Sequence, residues 1–211
     1  MARPIVYGAA MSPYVWSVRL ALAEKGVAHD LVSVGVDEFR SEAHLARHPF
    51  GKIPAFDHDG FMLYETQAIM RYVDEAFPAA PLQPIEVHPF ARMNQIMGIV
   101  DNYLTPTLLA NVIFQRMVAP RLGRSVDEGA IAAALPKVRH CLGEIARLAG
   151  EQPFLAGESL TLADLMAIPQ LYYFKKLPEG AAQFAELPAL AAWVNRMEER
   201  QSLQVTRPAG M

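Results

Sequence analysis

The sequence predicts two domains, an α/β domain in the first part of the chain and an all-helical domain after it. Short apolar strands alternate with amphipathic helices up to about residue 78, and the stretch 79–84 then contains two prolines and no clear periodicity. From residue 90 onward, apolar residues recur at helical spacing almost to the end of the chain. We therefore place the α/β domain at 1–80, a linker at 81–88 and the helical domain at 89–211.

The first domain begins with a strand, a helix and a second strand. An apolar strand at Pro4–Gly8 leads to a helix that Ser12 and Pro13 open and Gly26 closes, and His29–Val34 forms the next strand. A polar stretch from residue 37 to residue 47 holds one or two helical turns. This order is that of a βαβ unit, whose two strands lie parallel in one sheet.

A hairpin and a helix complete the first domain. The hairpin strands are Ile53–Phe56 and Phe61–Tyr64, and the turn between them ends on Gly60, where a residue with positive φ is favoured. The helix is predicted over Thr66–Ala76, because its apolar residues recur at helical spacing and Pro78 prevents its continuation. With the first two strands, the hairpin gives a mixed sheet.

In the second half of the chain, the spacing of apolar residues predicts four helices. Their expected boundaries are Phe90–Val118, Val126–Ala149, Leu162–Lys175 and Pro188–Glu199. Before the third helix, Thr161 is the predicted N-cap, and Asp164 occupies the capping position three residues later. We interpret this pair as structural.

Composition and charge exclude several classes of partner. The chain has 211 residues, a formal net charge of -3 and a pI near 6.1, so nothing favours nucleic acid or an anionic membrane as a partner. The N-terminus has no apolar signal segment, and charges interrupt the apolar runs, so no membrane span is expected. The single cysteine, Cys141, excludes an internal disulfide and a cysteine-only zinc site. We expect a cytoplasmic protein that binds a small molecule or another protein.

The turn before the first helix carries a motif with chemical meaning. Residues 12–15, SPYV, have the form of the Cys-Pro-Tyr-Cys redox turn of glutaredoxins, with Ser and Val in place of the cysteines. The hydroxyl of Ser12 stands at a helix N-terminus, where free N–H groups and the helix dipole stabilise negative charge. A thiolate supplied by a ligand would be stabilised there. Ser12 followed by Pro13 is equally typical of an ordinary N-cap.

A second motif, residues 48–54 with the sequence HPFGKIP, precedes the hairpin. Pro54 restricts Ile53 to extended geometry and gives their peptide bond unusual access to the cis form. The backbone N–H and C=O of Ile53 could then pair with an extended peptide ligand, as an added strand would. Glu65 and Thr66 follow at the head of the next helix, where a charged end of the same peptide could bind. On its own, the segment is also typical of a proline-bounded loop before an edge strand.

Together these motifs resemble those of the cytosolic glutathione S-transferase family over essentially the whole chain. The resemblance implies a thioredoxin-like N-terminal α/β domain and an all-α C-terminal helical bundle. It is strongest to serine-type members of the theta, phi, tau or zeta kind and of bacterial type. Four segments carry it: SPY at 12–14 with VRLALAEKG at 18–26, PFGKIP at 49–54, ETQAI at 65–69 and LTLAD at 160–164.

The resemblance implies glutathione as the co-substrate, bound on the first domain, and no metal. In serine-type members the hydroxyl matching Ser12 donates a hydrogen bond to the glutathione sulfur. The backbone matching Ile53 pairs with the cysteinyl unit, and the bond to Pro54 is cis. A thiol-activating role for Tyr7, as in tyrosine-type members, is disfavoured because Tyr7 lies inside the first strand and before the turn.

The resemblance also assigns residues to the two charged ends of glutathione. Thr66 offers its hydroxyl and a helix-start N–H to the γ-glutamyl α-carboxylate, and Glu65 counters the α-ammonium. Lys52 and Arg40 are the candidates for the glycyl carboxylate. Arg40 lies in a variable segment, so a solvated surface charge is an equal alternative for it.

The second substrate implied by the resemblance is a small hydrophobic electrophile. Candidate residues for its pocket are Met11, Pro13 and Tyr14 in the first domain and Asn111, Phe114 and Gln115 on the first long helix. Methionine and aromatic residues on a helix are more often part of the core than of a ligand pocket.

These features predict a glutathione S-transferase that activates the glutathione thiol as a thiolate and conjugates it to such electrophiles in detoxification. The resemblance implies a homodimer, with Phe50 either reaching the partner subunit or buried in its own domain. Ser17 stands where the family often has Arg, and His48 where Asn is commoner. Neither difference removes a named contact to glutathione, so both bear on the subclass and not on glutathione binding. Two alternatives remain, a glutathione-dependent isomerase like maleylacetoacetate isomerase and a non-catalytic glutathione-binding scaffold.

Overall fold

The computed structural model describes residues 3–209, and the chain divides into two compact units. The first unit comprises the chain up to Gln83 and the stretch from Glu199 onward, and the second unit is Pro84–Glu198. The predicted boundaries, 1–80 and 89–211, differ from these units in the stretch from Glu199 onward, which the sequence pattern assigns to the helical domain.

The first unit is built on a mixed four-stranded sheet. Its strands are β1 Ile5–Tyr7, β2 Asp30–Val32, β3 Ala55–His58 and β4 Phe61–Tyr64, in the order β2-β1-β3-β4. β1 pairs in parallel with β2 and antiparallel with β3, and β3 pairs antiparallel with β4. The predicted mixed sheet is confirmed. β3 starts at Ala55 and not at Ile53, because Pro54 has no N–H to donate to the ladder.

Three helices alternate with these strands. They are α1 Pro13–Glu24, α2 Glu42–Leu45 and α3 Thr66–Ala76. The side chains of Val6, Val15, Trp16, Phe56 and Ile69, from β1, α1, β3 and α3, are fully buried and form the core of this unit. The thioredoxin-like α/β domain is therefore confirmed.

The second unit is helical, as predicted. Its α-helices are α4 Val87–Ile99, α5 Thr105–Leu108, α6 Glu128–Ala149, α7 Leu162–Lys175, α8 Pro178–Ala185 and α9 Pro188–Glu198. The short helix α8 was not predicted separately. Nearly all of α7 is buried, so this helix forms the centre of the unit.

The predicted helix Phe90–Val118 is continuous but irregular. Between α4 and α5 lies a π-helical stretch, and a second one follows α5 over Leu109–Val118. Pro106 accounts for part of this change, because it has no N–H for an α-helical hydrogen bond. The hydroxyl of Thr105 donates to the carbonyl of Val100 at 2.7 Å.

The stretch 87–118 corrects one expectation from the sequence. By length and composition alone, this helix is long and apolar enough to cross a membrane, contrary to our expectation that no stretch would be. Half of its most apolar window is buried inside the protein. The core helix of a soluble protein meets the same criteria, so the finding carries little weight for a membrane location.

The start of α7 shows the predicted cap. The buried carboxylate of Asp164 accepts hydrogen bonds from the backbone N–H groups of Leu155 and Thr161 at 2.9 and 2.8 Å. The Thr161 hydroxyl and Trp193 Nε1 each donate to it at 2.8 Å. Burial raises the pKa of Asp164, and the four hydrogen bonds oppose this effect. The structural interpretation of the Thr161–Asp164 pair is confirmed.

The last helix, α10 Gln201–Thr206, packs on α1 in the first unit. Trp16 Nε1 donates to Thr206 Oγ1 at 2.8 Å, across 190 positions of sequence. Arg200, just before α10, donates two hydrogen bonds of 2.8 Å to the carboxylate of Glu24. These contacts explain why the last stretch of the chain belongs to the first unit.

Candidate functional site

Ser12 ends the turn after β1 and caps α1. Its backbone is extended, with φ -67 and ψ 125, and its Oγ accepts a long hydrogen bond of 3.5 Å from the N–H of Val15. Pro13 fills the first helical position, where no N–H is needed. Accepting a bond uses a lone pair of the hydroxyl and leaves its proton for another acceptor. Ser12 is therefore a cap whose hydroxyl proton lies at the positive end of the α1 dipole.

Gly8 brings the start of α1 close to the loop that contains Ile53. A Cβ atom on Gly8 would lie 2.5 Å from Cγ2 of Val15 and 3.2 Å from Cβ of Ile53, so only glycine fits between them. Val15 lies within the first turn of α1, which Ser12 caps. The end of β1 thus places two motifs from distant parts of the sequence side by side.

Ile53 has a backbone free for pairing. The peptide bond between Ile53 and Pro54 is cis, as the resemblance implied. Ile53 lies outside β3, and within residues 3–209 its N–H and C=O make no hydrogen bond. This arrangement matches the requirement for an added peptide strand.

The start of α3 has an unusual backbone conformation. Glu65 has φ 70 and ψ 115, which is costly for a residue with a side chain. Its side chain is exposed and, among the described residues, makes no capping hydrogen bond to α3. Thr66, the first residue of α3, is only 7% exposed. Such conformations persist where surrounding structure holds them, and they cluster at functional sites.

Gly51 brings Arg40 next to the loop that carries Lys52. Gly51 has φ 60, and a Cβ atom there would lie 2.7 Å from the carbonyl oxygen of Phe39 and 3.4 Å from Cδ of Arg40. The side chains of Arg40 and Lys52 are both exposed. Two cationic residues on neighbouring segments form a suitable site for a carboxylate.

Two buried histidines lie against the same loop. Nε2 of His44 is 2.8 Å from the carbonyl oxygen of Lys52. The ring of His48 lies 4.9 Å from that of Tyr64 and 6.4 Å from that of His44. Burial lowers the pKa of His48, and the nearby charge of Glu65 opposes this effect. Sequence reasoning missed His44, although the i, i+4 spacing of the two histidines indicated a shared helix face.

The electrophile candidates of the first unit flank the start of α1. Met11 is 36% exposed and Tyr14 is half-buried, so both present surface to a ligand. Pro13 is buried and contributes mainly to the helix start.

The candidates of the second unit all lie in its second π-helical stretch, and such stretches are frequent at functional sites. Asn111 donates from Nδ2 to the carbonyl of Thr107 at 3.1 Å. Gln115 accepts at Oε1 from the N–H of Asp127 at 3.0 Å, so it holds the chain before α6. Phe114 is half-buried and keeps surface for a ligand.

Tyr7 has surroundings unlike those of Ser12. It lies within β1, and the guanidinium carbon of Arg47 stands 4.5 Å from the centre of its ring. The Arg47 cation therefore contacts the face of the Tyr7 ring. Tyr7 does not lie at the start of α1, where the Ser12 hydroxyl stands. In the part of the chain that the structure describes, no group of three or more His, Cys, Asp or Glu residues could hold a metal ion.

Comparison with known proteins shows the family of this chain. Residues 6–81 match the family "Glutathione S-transferase, N-terminal domain", and residues 128–196 match "Glutathione S-transferase, C-terminal domain". Glutathione S-transferase 4 of Zea mays is 31% identical over 197 residues, which are 92% of this chain and 87% of that protein. A glutathione S-transferase of Hyoscyamus muticus is 28% identical over 209 residues, which are 93% of this chain and 98% of that protein. The chain belongs to the glutathione S-transferase family and is a transferase.

Solved structures share its fold. Glutathione transferase F7 from Populus trichocarpa has a TM-score of 0.86 at 29% identity, covering 96% of this chain and 97% of its own. Glutathione S-transferase I from maize, solved in complex with an atrazine glutathione conjugate, has a TM-score of 0.86 at 28% identity, covering 97% of this chain and 96% of its own. The predicted glutathione transferase fold is confirmed.

Proposed function

We propose that this transferase binds glutathione on its first unit and uses Ser12 to activate the thiol, as a serine-type member. The observation that carries this proposal is the close approach at Gly8, which brings the unpaired backbone of Ile53 beside the first turn of the helix that Ser12 caps. A peptide paired with Ile53 would direct its cysteine side chain to the start of α1.

The γ-glutamyl end of glutathione fits the start of α3. The first N–H groups of a helix favour a carboxylate, and Thr66 adds a hydroxyl there. Within residues 3–209 the exposed carboxylate of Glu65 forms no salt bridge, so it can counter the α-ammonium. The strained backbone of Glu65 supports a functional role for this position.

The glycyl end fits the two cationic residues around Gly51. Arg40 offers a guanidinium that can bind a carboxylate through two hydrogen bonds, and Lys52 adds a second positive charge. The packing at Gly51 supports Arg40 for this role over a solvated surface charge.

The energetics are sufficient for thiol activation. A free thiol titrates near pKa ~8.5, so lowering its pKa by two units requires about 2.7 kcal/mol. A hydrogen bond from Ser12 to a charged sulfur contributes about 1.5 to 3 kcal/mol, and the helix terminus adds about 0.5 to 1 kcal/mol. No further base is needed to hold the thiolate.

The second substrate is a small hydrophobic electrophile. The thiolate sulfur forms a bond to the electrophilic carbon, the leaving group departs with its bonding electrons, and the thiol proton passes to solvent. Holding the two reactants together lowers the entropic part of the barrier. Conjugation of this kind serves detoxification.

A homodimer in the cytoplasm is part of the same proposal. Phe50 is 62% exposed and its ring lies 6.1 Å from that of Tyr64 on the edge strand β4, where Phe61 is 52% exposed. We expect the partner subunit to cover these exposed aromatic side chains. Size-exclusion chromatography of Phe50→Ser should show a shift from dimer to monomer, and cell fractionation checks the location.

The proposal is tested by assaying glutathione conjugation to a halonitroarene. Ser12→Ala should lower kcat/KM about 30- to 100-fold, because about 2 to 3 kcal/mol of thiolate stabilisation is lost. Ser17→Ala is the matched control, since the Ser17 hydroxyl donates to the carbonyl of Pro13 at 3.0 Å, within its own helix. An unchanged rate for Ser12→Ala would make Ser12 a cap alone.

The same experiment separates the alternatives. Tight binding to immobilised glutathione without turnover of any electrophile class would favour the scaffold. Glutathione-dependent cis–trans isomerisation of an unsaturated diketo acid without thioether formation would favour the isomerase.

A further inference from the structure

His44 contacts both segments that carry the cationic residues around Gly51. It is 1% exposed, and on one side its Nε2 lies 2.8 Å from the carbonyl oxygen of Lys52. On the other side its ring stacks on that of Phe39, with centroids 6.0 Å apart and an angle of 29° between the planes. Phe39 is the neighbour of Arg40 in sequence, so one side chain links the two segments.

The hydrogen bond between His44 and Lys52 has a defined direction. A carbonyl oxygen only accepts, so Nε2 of His44 carries the proton and donates it. Nδ1 of His44 is buried and has no hydrogen-bond partner among the described residues. A buried polar atom without a partner is costly, so packing alone does not explain a histidine here.

The segments that His44 links are also in direct contact. The missing side chain of Gly51 lets the carbonyl of Phe39 approach within 2.7 Å of where a Cβ atom would stand. Ser41 is the N-cap of α2, the short helix that contains His44. Its Oγ accepts a hydrogen bond from the His44 N–H at 3.2 Å and so fixes the backbone of His44. The imidazole therefore extends from a fixed point to both segments.

We propose that His44 is a positioning residue for the glycyl end of glutathione. By holding the Lys52 carbonyl and the ring of Phe39, it sets the spacing between the side chains of Lys52 and Arg40 so that both reach one carboxylate. This inference rests on the proposed function and adds a residue that contacts no substrate itself.

The test compares glutathione with γ-glutamylcysteine, which lacks the glycyl carboxylate. His44→Phe keeps a ring against Phe39 and removes the donor. Its KM for glutathione should rise about five- to tenfold with kcat within about twofold, because a lost positioning bond weakens ground-state and transition-state binding alike. Its KM for γ-glutamylcysteine should change less than about twofold. The preference for glutathione should therefore shrink.

Two further variants make the result specific. His44→Gln retains an N–H donor and should restore the KM for glutathione to within about twofold of the wild-type value. His58→Phe is the matched control, because His58 is also buried in the first unit but its Nδ1 lies 2.8 Å from the hydroxyl of Tyr72, away from the glycyl site. It should leave the ratio of the two KM values unchanged. Should the phenyl ring not fit at position 44, His44→Leu replaces it in the same comparison.

Equal changes for the two peptides, or no change for either, would overturn the positioning role. Calorimetric binding of both peptides gives the same comparison without turnover. If the wild-type chain conjugated no electrophile, the proposed function would be wrong. The ratio of the two binding constants would still decide the role of His44, because it does not depend on turnover.

Discussion

The starts of α7 and α3 show how differently two helix N-termini can be completed. At α7 the buried carboxylate of Asp164 receives four hydrogen bonds, two of them from backbone N–H groups. At α3 the residue in the cap position, Glu65, is exposed, has φ 70 and makes no capping bond within the described chain. One helix start is closed by the protein itself, and the other is left open at a cost in backbone strain.

This difference separates stability from function. The buried hydrogen-bond network at the start of α7 contributes to folding and is out of reach of a ligand, because Leu162, Ala163 and Asp164 are all buried. An open helix start keeps its N–H groups and its dipole available for an anion. We therefore expect substitutions at α7 to change the free energy of unfolding and substitutions at α3 to change the KM for glutathione.

Asp164→Ala should have the largest effect on stability. It removes the acceptor of four hydrogen bonds in a buried place and leaves these donors unpaired, so the free energy of unfolding should fall by about 3 to 5 kcal/mol. Urea unfolding measures this loss. The KM for glutathione of the molecules that remain folded should not change, and a raised KM would contradict the division between the two helix starts.

Glu65→Gln should have the opposite profile. It keeps the shape of the side chain and removes its charge, so the KM for glutathione should rise about tenfold, or about 1.4 kcal/mol, with stability changed by less than about 0.5 kcal/mol. Steady-state kinetics and thermal unfolding measure the two quantities. Glu86→Gln is the matched control, because Glu86 is an exposed glutamate at the N-cap of α4 with φ -71 and no strain.

The sequence was sufficient for local features and insufficient for long-range ones. The caps at Ser12 and Thr161, the hairpin, and the cis bond before Pro54 followed from local sequence or from the resemblance. The bond between Trp16 and Thr206 joins residues 190 positions apart, and no local pattern indicates such a pair. A boundary drawn from local sequence therefore cannot assign α10 to the first unit.

The site shows the same limit. Glu65 and Thr66 were expected at a helix start, but the positive φ of Glu65 was not, because glutamate has no preference for it. The contact of His44 with Lys52 depends on how the loop at Gly51 folds back, which the sequence does not specify.

Glu65→Gly tests whether strain is stored at the open helix start. Glycine adopts φ 70 without the cost that a side chain incurs, so the free energy of unfolding should rise by about 1 kcal/mol while the KM for glutathione also rises. Glu86→Gly should instead lose a few tenths of a kcal/mol, because φ -71 needs no glycine. Equal effects on stability at the two positions would mean that Glu65 is not strained.

The far end of α1 extends the comparison to the two ends of one helix. At the start of α1 the Ser12 hydroxyl keeps its proton for a ligand. At the end of α1 the Glu24 carboxylate accepts hydrogen bonds from Arg200 and Ser202, so we call this the closed end. Burial raises the pKa of Glu24, but its hydrogen bonds with Arg200 and Ser202 and the charge of Arg200 outweigh burial, so the pKa lies below its usual value of 4.5. The ionised form therefore stabilises the fold above pH 4.5, and this contribution is lost as pH falls through the lowered pKa.

Arg200→Met should give the smallest effect. The ion pair is partly exposed, so the free energy of unfolding at pH 7 should fall by about 0.5 to 1 kcal/mol, and its difference from the wild type should shrink below pH 4.5. Urea unfolding at several pH values measures the difference, with Arg147→Met, in an exposed pair with Glu144, as the control that should not change stability measurably. Conjugation activity should be retained in both variants, because the closed end of α1 serves the fold and the open end serves the substrate. A difference from the wild type that stays constant with pH would show that Arg200 acts through packing and not through the charge of Glu24.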